Sequence, residues 1–384
     1  MKKNNANLKP ATLCVHAGGY HDAATGAVTT PIFTASSYAC PNPSGQNIYQ
    51  RYSNTPNQRA VAAKLAALEQ GGDALVFGSG MAAITTVLFA LLEPGDHAVF
   101  QEDLYGGTYH FVAAELTQFG VEVSFVKANG DFAAQIRPAT KLIFVESPSN
   151  PLLRCVDLAA IAALGKARGL LTVIDNTFAT PINQNPLVLG ADLVLHSATK
   201  FLGGHADALG GVLCGAPELI AKVYHYREIT GASLDPMAAY LLVRSMKTLA
   251  LRVRQQNENA LTIARWLEEQ PAVAAVNYPG LETHLHHDVA ARQMRGYGGM
   301  LSFTLEGGFA AVKRVLPRLR LAHLAANLGA VETLAGVPAT TSHVECTVEE
   351  RAAMGIPEGL IRYSVGIEDA GDLMRDLEQA FAVA

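Results

Sequence analysis

The feature that most narrows the fold is a series of short strand-like runs between residues 74 and 196, rich in apolar residues and each separated from the next by other patterns, several of them helical. The runs occupy 74–77, 97–101, 122–126, 142–146, 171–174 and 193–196. Most are continuously apolar rather than alternating, as expected of strands covered by helices on both faces. The segments between them, such as 158–168, are rich in Ala and Leu at helical spacing. Strand and helix in regular alternation predict an α/β domain built on a mainly parallel sheet.

Either side of this core the chain changes character. Residues 1–60 are rich in Asn, Pro, Ser, Thr and Tyr without sustained periodicity, which reads as either a loose tail or an arm that docks on something else. Ser233-Leu234-Asp235-Pro236 offers a helix start, with Asp235 as cap and Pro236 at the first helical position. A helical pattern then runs to about residue 269 and links two lobes. Segment 298–305 reads as a strand and 372–381 as a terminal helix. The expected organisation is an arm over 1–60, a large ligand-binding domain over 61–245 and a smaller α+β domain over 246–384.

Three polar clusters sit where the expected strands end. In GSGMAAITTVLFALL (78–92) a Gly-Ser-Gly turn opens a helix, and free backbone N–H groups at a helix start attract anions. In LTVIDNTF (171–178) an apolar run delivers Asp175, at the place where α/β sheets put ligand-binding groups. In ADLVLHSATKFLGGHAD (191–207) another run delivers Ser197, Thr199 and Lys200. Each alone has an ordinary explanation: a tight turn, a capping acid, a lysine reaching for solvent. Together they describe one ligand with a phosphate, a cationic ring nitrogen and a carbonyl that an amine can capture. Pyridoxal 5′-phosphate (PLP) has all three. Lys200 is then expected on the aldehyde and Asp175 on the ring nitrogen, with Gly80, Met81, Ser197 and Thr199 on the phosphate.

Composition removes competing classes. With 29 basic against 34 acidic residues and no basic run, nothing suggests a nucleic-acid partner. The longest apolar run, 81–92, is too short to span a bilayer. The five cysteines are scattered without a C-x-x-C pair, which reads as reduced thiols rather than a disulfide framework or metal site. No apolar core follows the basic N-terminus, so no secretory signal is expected, and the expected location is the cytoplasm.

Eight stretches, in order, carry a resemblance. They are VHAGG (15–19), YQRYSN (49–54), FGSGMAA (77–83), DLYGGTY (103–109), ESPSNP (146–151), VIDNTFATP (173–181), HSATKFLGGHAD (196–207) and IRYSVGIED (361–369). Over essentially its whole length the chain resembles the Cys/Met-metabolism (transsulfuration) family of fold-type I PLP enzymes. The resemblance implies that Tyr105 stacks on the pyridine ring and shuttles protons. It implies that Tyr49 and Arg51 reach a neighbouring subunit's phosphate. It implies that Arg362 grips the substrate α-carboxylate and that Asn150 lies near it. A homotetramer of arm-exchanging dimers is the implied assembly.

The departures from the family lie where substrate choice is made. Asn327 stands where the family often has serine, Ile48 where cystathionine-handling members tend to have an acid, and Ala206 where serine is usual. Glu332 is the expected alternative source of an acid for a distal ammonium group. Gly107 follows Gly106 where methionine γ-lyases usually carry cysteine. The implied activity is PLP-dependent γ-elimination of the cystathionine γ-lyase kind. γ-Replacement by a cystathionine γ-synthase or O-acylhomoserine sulfhydrylase is the alternative, followed by methionine γ-lyase or cystathionine β-lyase. An aminotransferase on the same fold and a non-catalytic PLP-binding protein complete the alternatives.

Overall fold

The computed structural model describes residues 8–41 and 45–384; parts of the expected arm, 1–7 and 42–44, lie outside them. The strands form two sheets. The larger has seven strands: β1 (Asp73–Phe77), β2 (His97–Gln101), β3 (Glu122–Val126), β4 (Thr140–Glu146), β5 (Leu171–Asp175), β6 (Leu193–Ser197) and β7 (Gly211–Gly215). Their order is β1-β7-β6-β5-β4-β2-β3. β7 is antiparallel to both neighbours and every other pairing is parallel. All six expected strands are present. β7 had not been expected, because Gly-Val-Leu-Cys-Gly is a three-residue apolar run bounded by glycines that reads as a loop.

The unbroken apolar runs are explained by burial on both faces. Along β6, Leu193 and Leu195 pack under one helical layer, while Val194 packs under the other. β4 divides the same way, with Leu142 and Phe144 on one face and Ile143 and Val145 on the opposite one. A strand with no solvent face needs no polar alternation. The helix Gly80–Leu91 lies in the first layer and the helices Pro56–Glu69 and Pro236–Met246 in the second.

The smaller sheet has β8 (Val273–Asn277), β9 (Met300–Leu305), β10 (His323–Leu324), β11 (Leu334–Gly336) and β12 (Leu360–Ser364), in the order β10-β11-β12-β9-β8. It alternates, as a sheet with one core face should. Ile361 and Tyr363 point into its core while Arg362 and Ser364 face the other way.

The continuous helical pattern expected over 236–269 is two helices, Pro236–Met246 and Leu249–Glu268. Thr248 leaves helical geometry at φ −105°, ψ 6°, and its hydroxyl donates to the Ser245 carbonyl at 3.1 Å. The second helix buries Leu249, Ala250 and Val253 with the large sheet's outer layer. Its later residues Ala260, Ile263, Ala264 and Leu267 lie in the small sheet's core. Within the described part of the expected arm, Pro10–His16 is a short helix and most of 17–55 is irregular. The cysteines are free, Cys40 exposed and the other four buried. Among the described residues no helix is long and apolar enough to cross a membrane.

Candidate active site

The carboxyl ends of the parallel strands open on a cavity of about 330 Å³. Sheet register lines up its floor: Glu146 of β4 is opposite Asp175 of β5, and Ser197 of β6 is opposite Gly211 of β7. β1 ends alongside, and its chain turns through Gly78-Ser79-Gly80 into the helix Gly80–Leu91. Ser79 caps that helix, accepting from the Ala82 N–H at 3.0 Å. The turn is pressed against the floor. A Cβ on Gly80 would lie 2.8 Å from Ser197 Cβ, and one on Gly211 only 2.0 Å from the Ser79 carbonyl oxygen. Glycine is therefore required at both positions for helix start and strand end to meet.

Asp175 is buried, and its Oδ1 accepts from both the Thr177 amide, at 2.9 Å, and the Thr177 hydroxyl. Burial raises its pKa against these two bonds. Glu146, wholly buried beside it, is raised well above the usual carboxylate range by burial and by the Asp175 charge. Its Oε2 accepts the Tyr105 amide at 2.9 Å, so this carboxyl sets where Tyr105 begins. The Tyr105 ring then folds back over Gly107, where a Cβ would stand 2.7 Å from a ring carbon.

Lys200 leaves β6 three residues after its end and donates from Nζ to Asn327 Oδ1 at 2.6 Å. Burial, and secondarily the Arg362 charge, push its amine down to about 8. Arg362 enters from β12, the outward side of the small sheet. Its Nη1 donates to Asn150 Oδ1 at 3.1 Å and its Nη2 to the Asn327 carbonyl at 3.3 Å. Burial lowers its pKa to about 10, which leaves it charged at neutral pH. Segment 327–329 is fixed by Gly329, whose N–H donates to Ser364 Oγ at 2.8 Å. At φ +78° a Cβ on Gly329 would strike the Phe201 amide nitrogen.

Nine residues expected from sequence line this one cavity: Gly80, Met81, Tyr105, Asn150, Asp175, Ser197, Thr199, Lys200 and Arg362. Asn327 joins them through its bonds to Lys200 and Arg362. Glu332 does not; it is exposed and outside the cavity wall, because the chain has already turned away behind Gly329. Tyr49 and Arg51 also lie elsewhere. Tyr49 is exposed, and the Arg51 guanidinium sits over the rings of Tyr49 and Tyr52 and donates to the Glu228 carbonyl at 2.7 Å. Sequence reading missed Glu146, Ser79, Thr177, Thr341 and Ser342 in the wall. Glu146 had a signal, since it opens Glu-Ser-Pro-Ser-Asn-Pro at a strand end. Thr177 had one too, two residues after an acid it can cap.

The donor set fits PLP. A helix start closed on a serine strand end, a carboxylate whose Oδ2 has no donor among the described residues, and a lysine with a lowered pKa answer its phosphate, its ring nitrogen and its aldehyde.

The chain matches the family model described as Cys/Met metabolism PLP-dependent enzyme over residues 11–382. It is 44% identical to cystathionine gamma-lyase of Bacillus subtilis over 97% of this chain and 99% of that protein. It is also 44% identical to cystathionine gamma-synthase of Mycobacterium tuberculosis, over 97% of this chain and 96% of that protein. Among solved structures, cystathionine gamma synthase from Xanthomonas oryzae pv. oryzae in complex with cystathionine matches with a TM-score of 0.95 at 40% identity, covering 98% of each chain.

Proposed function

The chain belongs to the PLP-dependent enzymes of Cys/Met metabolism, and from that premise we propose that it cleaves the Cγ–sulfur bond of a cystathionine-type amino acid. The observation that carries this reading is the convergence of Lys200, Asp175 and Arg362 on one cavity from two different sheets. When bound, PLP supplies an aldehyde that captures an amino group and a protonated ring that draws electrons from Cα. Asp175 would hold the proton on the ring nitrogen through Oδ2, a charge-assisted contact strengthened by burial. The Gly80 and Met81 amides with the Ser197 hydroxyl would bind the phosphate, joined by the Thr199 hydroxyl, which here bonds the Gly210 backbone. Arg362, oriented by Asn150 and the Asn327 carbonyl, grips the α-carboxylate with its remaining N–H groups.

Once its amine is released, Lys200 is a base near its working pH, positioned by Asn327 Oδ1. It takes the Cα proton and then a Cβ proton, and a proton is returned as sulfur leaves Cγ. Tyr105 is placed to stack on the ring and share that transfer. Water then releases the carbon skeleton, so that cystathionine gives cysteine, 2-oxobutyrate and ammonia. Tyr49 and Arg51 serve the cavity of a second copy of the chain, in a homotetramer of arm-exchanging dimers; the exposure of Tyr49 supports this role.

γ-Replacement, in which a thiol adds where the leaving group departed, uses the same residues, and the 44% identity to a cystathionine gamma-synthase makes it the second reading. Gly107 weighs against a methionine γ-lyase, since those enzymes usually carry cysteine at that position.

The deciding test is incubation of the PLP-loaded protein with L-cystathionine and identification of what is released. The expected products are 2-oxobutyrate and cysteine. Pyruvate with homocysteine would make it a β-lyase. With no product, O-acylhomoserines and a thiol acceptor become the substrates to try.

A further inference from the structure

Tyr105 is 38% exposed, and among the described residues its hydrogen bonds all run through its backbone. Where its ring stands in the cavity is therefore decided by the peptide that carries it. That peptide, Leu104–Tyr105, is clamped on both sides. Its N–H donates to Glu146 Oε2 at 2.9 Å, and its carbonyl oxygen lies 3.2 Å from His343 Nε2. Glu146 is the last residue of β4 in the large sheet, whereas His343 lies between β11 and β12 of the small one. One peptide unit is thus held from two sheets at once.

His343 is fully buried behind the cavity wall, and the chemistry described above makes no use of it. All its polar atoms have partners. Its N–H donates to the Pro338 carbonyl at 2.9 Å, and its own carbonyl accepts from Arg351 at 3.4 Å. The Leu104 carbonyl can only accept, so Nε2 carries the ring proton. Nδ1 is then left to accept from the Ser342 hydroxyl at 3.0 Å. Burial lowers the ring's pKa to about 4, which keeps it in this neutral form.

The bonds form a path: Ser342 hydroxyl to His343, His343 to the Leu104 carbonyl, and across the peptide from the Tyr105 amide to Glu146. It starts at the outer rim of the cavity, which Ser342 lines, and ends at the floor. Packing along it is close, since a Cβ on Gly106 would come within 2.5 Å of the Ser342 carbonyl oxygen. Loss of the Nε2 donor would leave the buried Leu104 carbonyl unpaired and let the peptide turn about its bond to Glu146.

Resting on the reading that puts Tyr105 on the cofactor ring, we propose that His343 is a positioning residue for Tyr105. Acting through the Leu104–Tyr105 peptide, it sets the angle at which the phenol ring meets the pyridine. Because it does so from the small sheet, the seating of one sheet against the other is felt at that ring.

The test compares His343→Asn with His343→Gln in the PLP-loaded protein. Asparagine can still meet Ser342 but is too short for the Leu104 carbonyl, whereas glutamine is one carbon longer and returns an N–H close to where Nε2 stood. Visible circular dichroism of bound PLP, read without substrate, reports the surroundings of the cofactor ring. His343→Asn is expected to change that signal and His343→Gln to restore it. With an accepted substrate, kcat of the Asn variant should fall about ten- to a hundredfold while KM moves less than about two-fold. A bond that only stabilises the fold would lower the melting temperature and leave the cofactor signal of the folded enzyme alone. In a Tyr105→Ala background, His343→Asn should change the signal no further. An unaltered signal in His343→Asn, or an equal change without the Tyr105 ring, would overturn the assignment. If the Asn variant does not fold, His343→Gln decides: the wild-type signal is expected, and a shifted one sinks the proposal. If the wild type does not cleave cystathionine, the lyase reading fails on its own, and the substrate-free signal still judges His343.

Discussion

Asp175 and Ser197 reach the cavity from the last residues of paired β-strands, whereas Asn327 and Ser342 reach it from turns between short elements. The strand-borne groups are fixed by register: Glu146 opposite Asp175, Ser197 opposite Gly211. The turn-borne groups are fixed by bonds to distant elements, such as Asn327 to Lys200 and His343 to the Leu104 carbonyl. Floor and rim therefore differ in what a substitution can do. On the floor a change disturbs the chemistry shared by a whole class of enzymes. On the rim it acts through the groups that those bonds position.

The sharpest way to break this comparison is Lys200→Ala. Turnover of any accepted substrate should fall by at least about a thousandfold, because the general base and the covalent anchor go together. Far-UV circular dichroism of the variant should match the wild type. Residual activity above a few per cent would mean that the floor does not hold the chemistry.

A smaller effect concerns stability. In the cofactor-free protein the Lys200 amine sits at about 8 rather than 10.5, owing to burial and then to Arg362. Between those values the unfolded chain binds the proton more tightly, so the folded state gains stability as pH rises through the window and is penalised below it. Urea unfolding of wild type and Lys200→Ala at pH 7 and pH 10 should show the wild type gaining on the variant by on the order of 3 kcal/mol. Lys64, also lowered to about 8 by burial, is present in both proteins and cancels. Parallel pH profiles would show that the buried amine carries no such penalty.

The smallest effect belongs to Glu332→Gln. Exposed and outside the wall, Glu332 should influence KM for every substrate by less than about two-fold. A selective loss with L-cystathionine would return the distal-acid role to this residue and blur the line between floor and rim.

That line also marks what could be read from the sequence. Most of the six expected strands were legible because burial on both faces leaves an apolar signature, while β3, at a sheet edge, has Glu122 exposed and keeps only part of it. Asp175, Ser197 and Lys200 were legible because each stands at the end of such a run. Gly-Val-Leu-Cys-Gly hid β7, since a strand that short between glycines has no periodicity of its own. The break at Thr248 was hidden for a different reason: it is stabilised by a hydroxyl bond to Ser245 and by the distant carbonyl of Phe201 that receives Arg252. Glu332 read as a distal acid from its spacing, and it lies outside the cavity wall. Its exclusion from the wall depends on the tight turn at Gly329, which spacing along the chain does not show.

The helix Leu249–Glu268, buried at one end with the large sheet's helices and at the other in the small sheet's core, has a mechanical consequence. It acts as a beam clamped at both ends, about 30 Å long at the ordinary rise per residue. Lys200 belongs to one clamp and Arg362 to the other, so the gap between the amine and the guanidinium is held by the stiffness of that beam. Whatever movement admits and releases substrate is then borne by the turns around the opening, and the spacing of the reacting groups is spared.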